Sequence, residues 1–315
     1  MNRFASGPVL LTGGSGFIGS HVRRLLRSRG TPVRVLAHHT ETDADELVRG
    51  DLNDPASLRG VCEGITTLVH AASVINGSED ECQAVNERGT AALVAEARRS
   101  GVRRVVYVST AAVYGHGVHR GIDEDAVVPA PVSPTSRSRL KAESSVLAAG
   151  GTVLRPMFVY GEGDRWFIQT VARLARLLGA RPSGGRARLS VLSVDALAEA
   201  VCAVAQSSAH DLDGAVLHVT PPAATSLGEI LDALTENGLL PELTEEIDHD
   251  TALTRLGDAT ARTLSLLDSD HFYDSSRLRR AVQLPPDAPF KDAFPRYAHW
   301  YADWYAEAIT ATAPE

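Results

Sequence analysis

Residues 8–19 read Pro8-Val9-Leu10-Leu11-Thr12-Gly13-Gly14-Ser15-Gly16-Phe17-Ile18-Gly19. A short β-rich apolar run enters a loop with glycines at 13, 16 and 19. Phe17–Arg29 then carries Ile18, Val22, Leu25 and Leu26 at helical spacing. Gly30-Thr31-Pro32 breaks the helix, and Val33–Ala37 predicts a second strand. Strand, glycine turn, helix and strand make the βαβ unit of a nucleotide-binding fold. The glycines permit a tight turn and close backbone approach, and the helix N-terminus offers free N–H groups to a pyrophosphate.

The pattern continues outward. Thr67–Ala71 and Val105–Ser109 predict buried strands, Ala84–Ser100 a helix ending at Gly101, and Thr152–Arg155 a strand before Pro156. A helix runs through Lys141 to about Ala148. This alternation predicts an α/β, Rossmann-type doubly wound parallel sheet. After Gly161-Glu162-Gly163-Asp164 the rhythm changes. Phe167–Leu178 predicts a helix, Leu189–Val204 a strand and helix rejoining the sheet, and Ala215–Thr220 another strand. The expected division is 1–165, with 189–220 returning to it, and a smaller, mainly helical lobe from 166–188 and 221–315.

Composition narrows the function. The 315 residues are 44% hydrophobic and 22% charged, with net charge −8, which disfavours a nucleic acid partner. Three scattered cysteines, Cys62, Cys82 and Cys202, suit a reducing cytoplasm and neither disulfides nor structural zinc. His116 and His119 lack a third ligand at useful spacing, so no metal is expected. No apolar stretch is long enough to span a membrane. The basic residues are 31 in all, of which only Lys141 and Lys291 are lysine.

The glycine loop, Gly50-Asp51-Leu52, Val69-His70-Ala71-Ala72, Ser109-Thr110-Ala111-Ala112-Val113-Tyr114-Gly115 and Leu154-Arg155-Pro156-Met157-Phe158-Val159-Tyr160-Gly161 together resemble the extended short-chain dehydrogenase/reductase family. These are NAD(P)-dependent epimerases, dehydratases and reductases. The resemblance covers nearly the whole chain and is strongest in the first 165 residues. It implies that Gly13, Ser15, Gly16, Phe17, Ile18 and Gly19 cradle the cofactor. Asp51 and Leu52 would border the adenine, Ala71 and Ala72 would back the nicotinamide half, and Pro156 and Phe158 would lie near the carboxamide. It also implies that Thr110, with Ser109 beside it, meets the substrate oxygen and that Lys141 holds the nicotinamide ribose.

Two departures shape the expected chemistry. An acid usually closes the second strand of NAD enzymes; here the stretch is Arg34-Val35-Leu36-Ala37-His38-His39. Arg34 or His38, with Arg23 or Arg24, is expected to meet a 2′-phosphate, so the cofactor is expected to be NADP(H). Second, the family places a Tyr four residues before its Lys, and the residue four before Lys141 is Arg137, too basic to donate a proton. The proton is then left to His116, His119, Ser109 or Tyr114, to water, or to the substrate's own hydroxyl.

The substrate route suits an aromatic polyketide ketone with a neighbouring phenol, and the chain resembles the tailoring ketoreductases of polyketide pathways, which implies an angucyclinone-type ketone reduced in secondary metabolism. Ser109, Thr110, His116, Arg137, Tyr160, Trp166 and Phe167 are the expected substrate contacts, in a monomer or homodimer. Two other readings stand beside it. One is a nucleotide-sugar epimerase or dehydratase with Arg277 on a diphosphate, and the other a non-catalytic NADP(H)-binding sensor.

Overall fold

A computed structural model describes residues 7–38 and 46–303. Its body is a seven-stranded, all-parallel sheet. The strands are β1 (Val9–Thr12), β2 (Val33–Ala37), β3 (Glu46–Arg49), β4 (Thr67–His70), β5 (Arg104–Val108), β6 (Thr152–Pro156) and β7 (Val216–Val219). Their spatial order is β7-β6-β5-β4-β1-β2-β3. The order reverses between β1 and β4, the place where such sheets hold ligands outside their carboxyl ends.

Successive side chains on a strand point to opposite faces, and the sheet uses both. Val9 and Leu11 pack with Val35, Val69 and Val106 beneath helices α1 (Phe17–Ser28) and α5 (Val194–Gln206). Leu10 and Leu68 turn the other way, with Tyr107, toward α2 (Thr90–Arg99) and α3 (Pro134–Ala148). Strands buried on both faces read as unbroken apolar runs, which is why β1 and β5 were legible.

The lobe has its own core. Phe158, Phe167, Ile168, Leu231, Phe294 and Tyr301 pack around α4 (Phe167–Leu178). It is less purely helical than expected. A four-stranded sheet joins Thr225–Ser226, Arg188–Leu189, His271–Tyr273 and His119–Ile122.

Two local expectations change. The strand Val191–Ser193 does not join the main sheet; it pairs with Phe158–Tyr160 in a separate two-stranded ribbon. The helix expected over 84–100 starts earlier, at Glu79, under a capping box made by Ser78 and Glu81. It widens to a π-helix over Gln83–Gly89 before α2. Among the described residues no helix is long and apolar enough to cross a membrane.

Candidate active site

The cradle at the end of β1 follows from steric limits. Gly13 has φ +70°, and a Cβ there would lie 2.7 Å from the Ala72 nitrogen. A Cβ on Gly19 would lie 2.1 Å from the Gly13 carbonyl oxygen, so only glycine lets α1 start this close to the loop. Ala71 and Ala72 therefore stand directly against the loop. Thr12 Oγ1 accepts from Ala72 N at 3.2 Å and meets buried His70 at 2.6 Å, tying β1 to β4. Desolvation pushes the His70 imidazole down to about 3. Gly16 leads into α1 with no side-chain cap and no acid in the first turn. Ser15 and Gly16 are exposed, and Phe17 and Ile18 half-buried. An open, uncapped helix start beside a close-packed glycine turn fits a dinucleotide pyrophosphate.

The adenine side is mixed. Asp51 has a half-buried side chain, bonded through Oδ1 to Asn53 N at 2.8 Å and paired through Oδ2 with His38 at 3.2 Å. Leu52 is buried with Gly89 against it. Arg34 is not at this edge. It lies near the start of β2, opposite Glu46 at the start of β3. There it bonds Glu46, Val61 O and Glu63 O. The carboxyl end of β2 is at Ala37, three residues on, so the expectation that Arg34 meets a cofactor phosphate is withdrawn.

Around the end of β5 the expected catalytic group disperses. Ser109 is 1% exposed, and its hydroxyl donates to Glu143. Glu143 is locked in a buried ion pair with Arg155 of β6. Arg155 in turn donates to the Tyr114 hydroxyl at 2.9 Å, which lies 2.7 Å from His218 Nε2. His218 Nδ1 is 3.0 Å from the Asp274 carbonyl. That contact puts the ring proton on Nδ1, so Tyr114 donates to Nε2. Burial pushes the Tyr114 phenol up and the His218 imidazole down to about 4. Ser109 and Tyr114 are therefore parts of a buried brace. Thr110 is half-exposed, and its Oγ1 accepts from Ala112 N at 3.1 Å.

Helix α3 carries the main correction. Lys141 Nζ pairs with Glu87 at 3.2 Å, with its side chain 56% exposed. Arg137 pairs with Glu79 and donates to Val132 O. The two share one stripe, and it faces the preceding helix. The buried stripe runs through Ser138, Ala142 and Val146. Two residues of helix turn the side chain by about 200°. That rotation exposes a second pair with the same spacing, Thr135 and Arg139, toward the strand ends. Arg139 Nη2 donates to Val108 O at 2.6 Å and Ser109 O at 3.0 Å, and its Nε is buried without a partner. Thr135 Oγ1 accepts weakly from Asn76 N at 3.4 Å. Neither register puts a phenol here.

Asn86, which sequence reading passed over, sits in the π-turn and is 1% exposed. It accepts from Val74 N at 2.8 Å and donates to Ser138 Oγ and Val74 O, each at 3.0 Å. It clamps the loop after β4 to α3. A buried amide must find partners, but its partners are remote in sequence.

The remaining expected contacts divide by burial. Pro156 is buried at the end of β6, and Phe158, Tyr160 and Phe167 are at most 2% exposed inside the lobe core. Phe158 packs on Phe167, and Tyr160 on Phe290 and Tyr297, so these rings belong to the lobe core. Trp166 is 42% exposed over Phe158, and His116 is exposed. His119 is buried on Tyr273. Arg277 is held by Asp125 and Glu124. The loops that leave the carboxyl ends of β4, β5 and β6 expose Ile75, Val132 and Trp166.

Residues 9–219 match the NAD dependent epimerase/dehydratase family. The chain belongs to that family. As a family member it is similar to 2-alkyl-3-oxoalkanoate reductase of Stenotrophomonas maltophilia, with 31% identity over 53% of this chain and 56% of that protein. It is also similar to a 4-hydroxy-2-methyl-3-oxo-4-farnesyl-3,4-dihydroquinoline-1-oxide ketoreductase of Stigmatella aurantiaca, with 29% identity over 72% of each. The chain thus spans little more than half the length of the first of these relatives. Among solved structures, MoeE5 in complex with UDP-glucose and NAD superposes with TM-score 0.73 at 27% identity, over 95% of this chain and 100% of that one. RMD from Pseudomonas aeruginosa complexed with NADPH gives 0.71 at 19% identity, over 94% and 99%, a likeness of fold alone.

Proposed function

We propose that this family member is an NADPH-dependent ketoreductase acting on an aromatic, angucyclinone-type polyketide ketone, with a proton drawn from the substrate or from water. The observation that carries this reading is the makeup of α3 and the end of β5. The side chains of α3 toward that edge include a hydroxyl and a guanidinium, Thr135 and Arg139, while the neighbouring Tyr107 phenol and His70 imidazole are fully buried, stacked on each other, with the phenol bonded to Arg139. Ser109 and Tyr114, the other hydroxyls expected there, are bonded into the buried brace.

The glycine cradle and Ala71-Ala72 would hold the dinucleotide. When bound, the reduced nicotinamide supplies a hydride to a carbonyl carbon. The protein's task is to orient that carbon and exclude water. Arg139, not Lys141, is the cation beside the strand end, and its fixed charge favours an oxygen that becomes anionic. It cannot give up a proton at neutral pH. A ketone with a hydrogen-bonded phenol beside it carries the missing proton within its own structure. Ile75, Val132 and Trp166 supply apolar surface suited to flat rings. The relatives named as reductases of keto groups support the direction of the chemistry.

A nucleotide-sugar substrate is disfavoured because Arg277 is already paired with two carboxylates. The deciding assay follows NADPH absorbance with hydroxylated aromatic ketones and, separately, the conversion of UDP-sugars. Ketone-dependent oxidation is expected. Conversion of a UDP-sugar without net NADPH loss would overturn the reading in favour of an epimerase, and cofactor binding with neither reaction would favour a sensor.

A further inference from the structure

We propose that the cavity between α1, α5 and residues 284–297 is a second ligand site, built for an organic cation that carries an ammonium group on an apolar body. The site stands apart from the ketone reaction and does not depend on it.

The cavity encloses about 630 Å³, a volume suited to a small molecule. Leu25 of α1 and Asp195 of α5 stand on two of its walls, and Leu284, Pro285 and Pro286 close a third. Prolines cannot donate to a helix or sheet ladder. The chain therefore crosses these helices as an irregular span over 283–289, and it leaves space beneath. Among the described residues, the lining includes no cradle glycine, and neither Thr110 nor Arg139. The cavity is thus separate from the strand ends that would hold dinucleotide and ketone.

A buried hydroxyl opens into it. Tyr160 is 2% exposed, and its ring is held by Phe290 and Tyr297. Tyr160 lines the cavity, yet its hydroxyl has no hydrogen-bond partner among the described residues. Burial pushes the phenol up, and Tyr297, Asp287 and Asp195 add to the effect. Those three residues also line the cavity, so the hydroxyl end points into it. A hydroxyl taken out of water without a partner is costly, unless a ligand supplies one.

The remaining open groups fix the sign of the ligand. Asp195 is fully used: it meets His21 at 2.7 Å and Tyr297 at 2.8 Å, and pairs with Arg296 at 2.9 Å. Glu199 is paired with Arg29. Asp287 holds Arg279 through Oδ2 at 2.6 Å, and its Oδ1 has no partner among the described residues. Asp292 is exposed on the same wall, and its side chain has no bonded partner among the described residues. The guanidiniums of the wall already face carboxylates, Arg296 on Asp195 and Arg24 3.9 Å from Glu162. What stays open is therefore acceptor: the Tyr160 oxygen, Asp287 Oδ1 and Asp292. An ammonium brings three donors and no acceptor. Leu25, Leu284 and the two prolines offer apolar surface to the rest of the molecule.

The test uses the full chain and three probes with one body and different heads: 4-phenylbutylamine, 4-phenylbutanol and 4-phenylbutyrate. Calorimetry gives their dissociation constants for the parent, Tyr160→Phe and Asp292→Asn, and the parent titration is repeated with saturating NADPH. Thermal melting of each protein is recorded without ligand. The amine should bind at least about 10-fold more tightly than the alcohol, and the carboxylate more weakly still. Tyr160→Phe should weaken the amine about 10-fold or more, and Asp292→Asn about two- to fivefold. NADPH should leave amine binding unchanged. Because the Tyr160 hydroxyl has no partner to lose, the ligand-free Tm of Tyr160→Phe should not fall.

An amine that binds no better than the alcohol or the carboxylate would overturn the assignment. So would competition between amine and NADPH, undiminished amine binding in Tyr160→Phe or in Asp292→Asn, or a marked drop in the ligand-free Tm of Tyr160→Phe.

Discussion

The carboxyl ends of β1 and β5 lie two strands apart and are finished in opposite ways. At β1 the chain leaves an opening: glycines where any Cβ would collide, an uncapped helix start and an exposed Ser15. At β5 nearly every polar group is consumed by the protein itself. Ser109 is bonded to Glu143, Glu143 to Arg155, and Arg155 to Tyr114. One strand end is built to receive a ligand. The other is built to be rigid, with its described hydroxyl and guanidinium groups bonded to the protein itself.

The sharpest way to break this contrast is to cut the brace. Arg155→Leu leaves Glu143 as an uncompensated buried charge and should cost about 3–5 kcal/mol of stability. Urea unfolding measures it. A loss below about 1 kcal/mol would mean that the strand end does not depend on the ion pair.

Acid should act on the same side of the molecule. Burial holds His70 down to about 3 and His218 to about 4, and lowers His119 and His271 as well. In the unfolded chain these rings take protons below an ordinary value of 6.5, while in the folded chain they stay neutral. The unfolded state then binds more protons, so stability falls as pH drops from about 6.5 toward 4. For His70 and His218 the slope is roughly 1.4 kcal/mol per pH unit each, once the unfolded ring is protonated and while the folded ring stays neutral. Glu124 and Asp164, whose carboxyls burial pushes up, oppose the trend at the acid end of that window. Chemical denaturation at pH 7.5, 6 and 5 should show progressive weakening. A flat profile would contradict the buried, neutral assignment.

A smaller effect separates the two stripes of α3. Arg139→Gln should lower kcat about 10-fold or more, by removing charge beside the reacting oxygen. Lys141→Ala should change kcat by less than about threefold, since an exposed ion pair contributes little. The reverse order would restore Lys141 to the ribose and return the site to the register first read from the sequence.

That register shows where sequence reading stopped. The βαβ unit was legible because glycine sterics and two-sided burial leave direct marks on residues 8–37. Helix α4 was read at its observed ends, Phe167 and Leu178. The active-site helix was also found, but its facing side was not. Carrying Lys141 over from the family resemblance as the ribose lysine ignored the helical phase. Ala142 and Val146 mark the buried face, and Arg139 lies one turn before Ala142 on that same side. Arg34 was misplaced for a similar reason, because a residue near the start of a parallel strand lies at the wrong end for the cofactor. The brace of Glu143, Arg155, Tyr114 and His218 joins residues up to 104 positions apart. No local pattern encodes it.

The most direct trial of a reaction without a protein acid is chemical. Purified protein and NADPH are given an aromatic ketone bearing an adjacent phenol and, in parallel, its methyl ether at matched saturation. Removing the phenolic proton should lower the rate about 10²–10⁴-fold, with NADPH affinity unchanged. Equal rates for the two ketones would contradict delivery of the proton by the substrate and leave water or a protein group as its source.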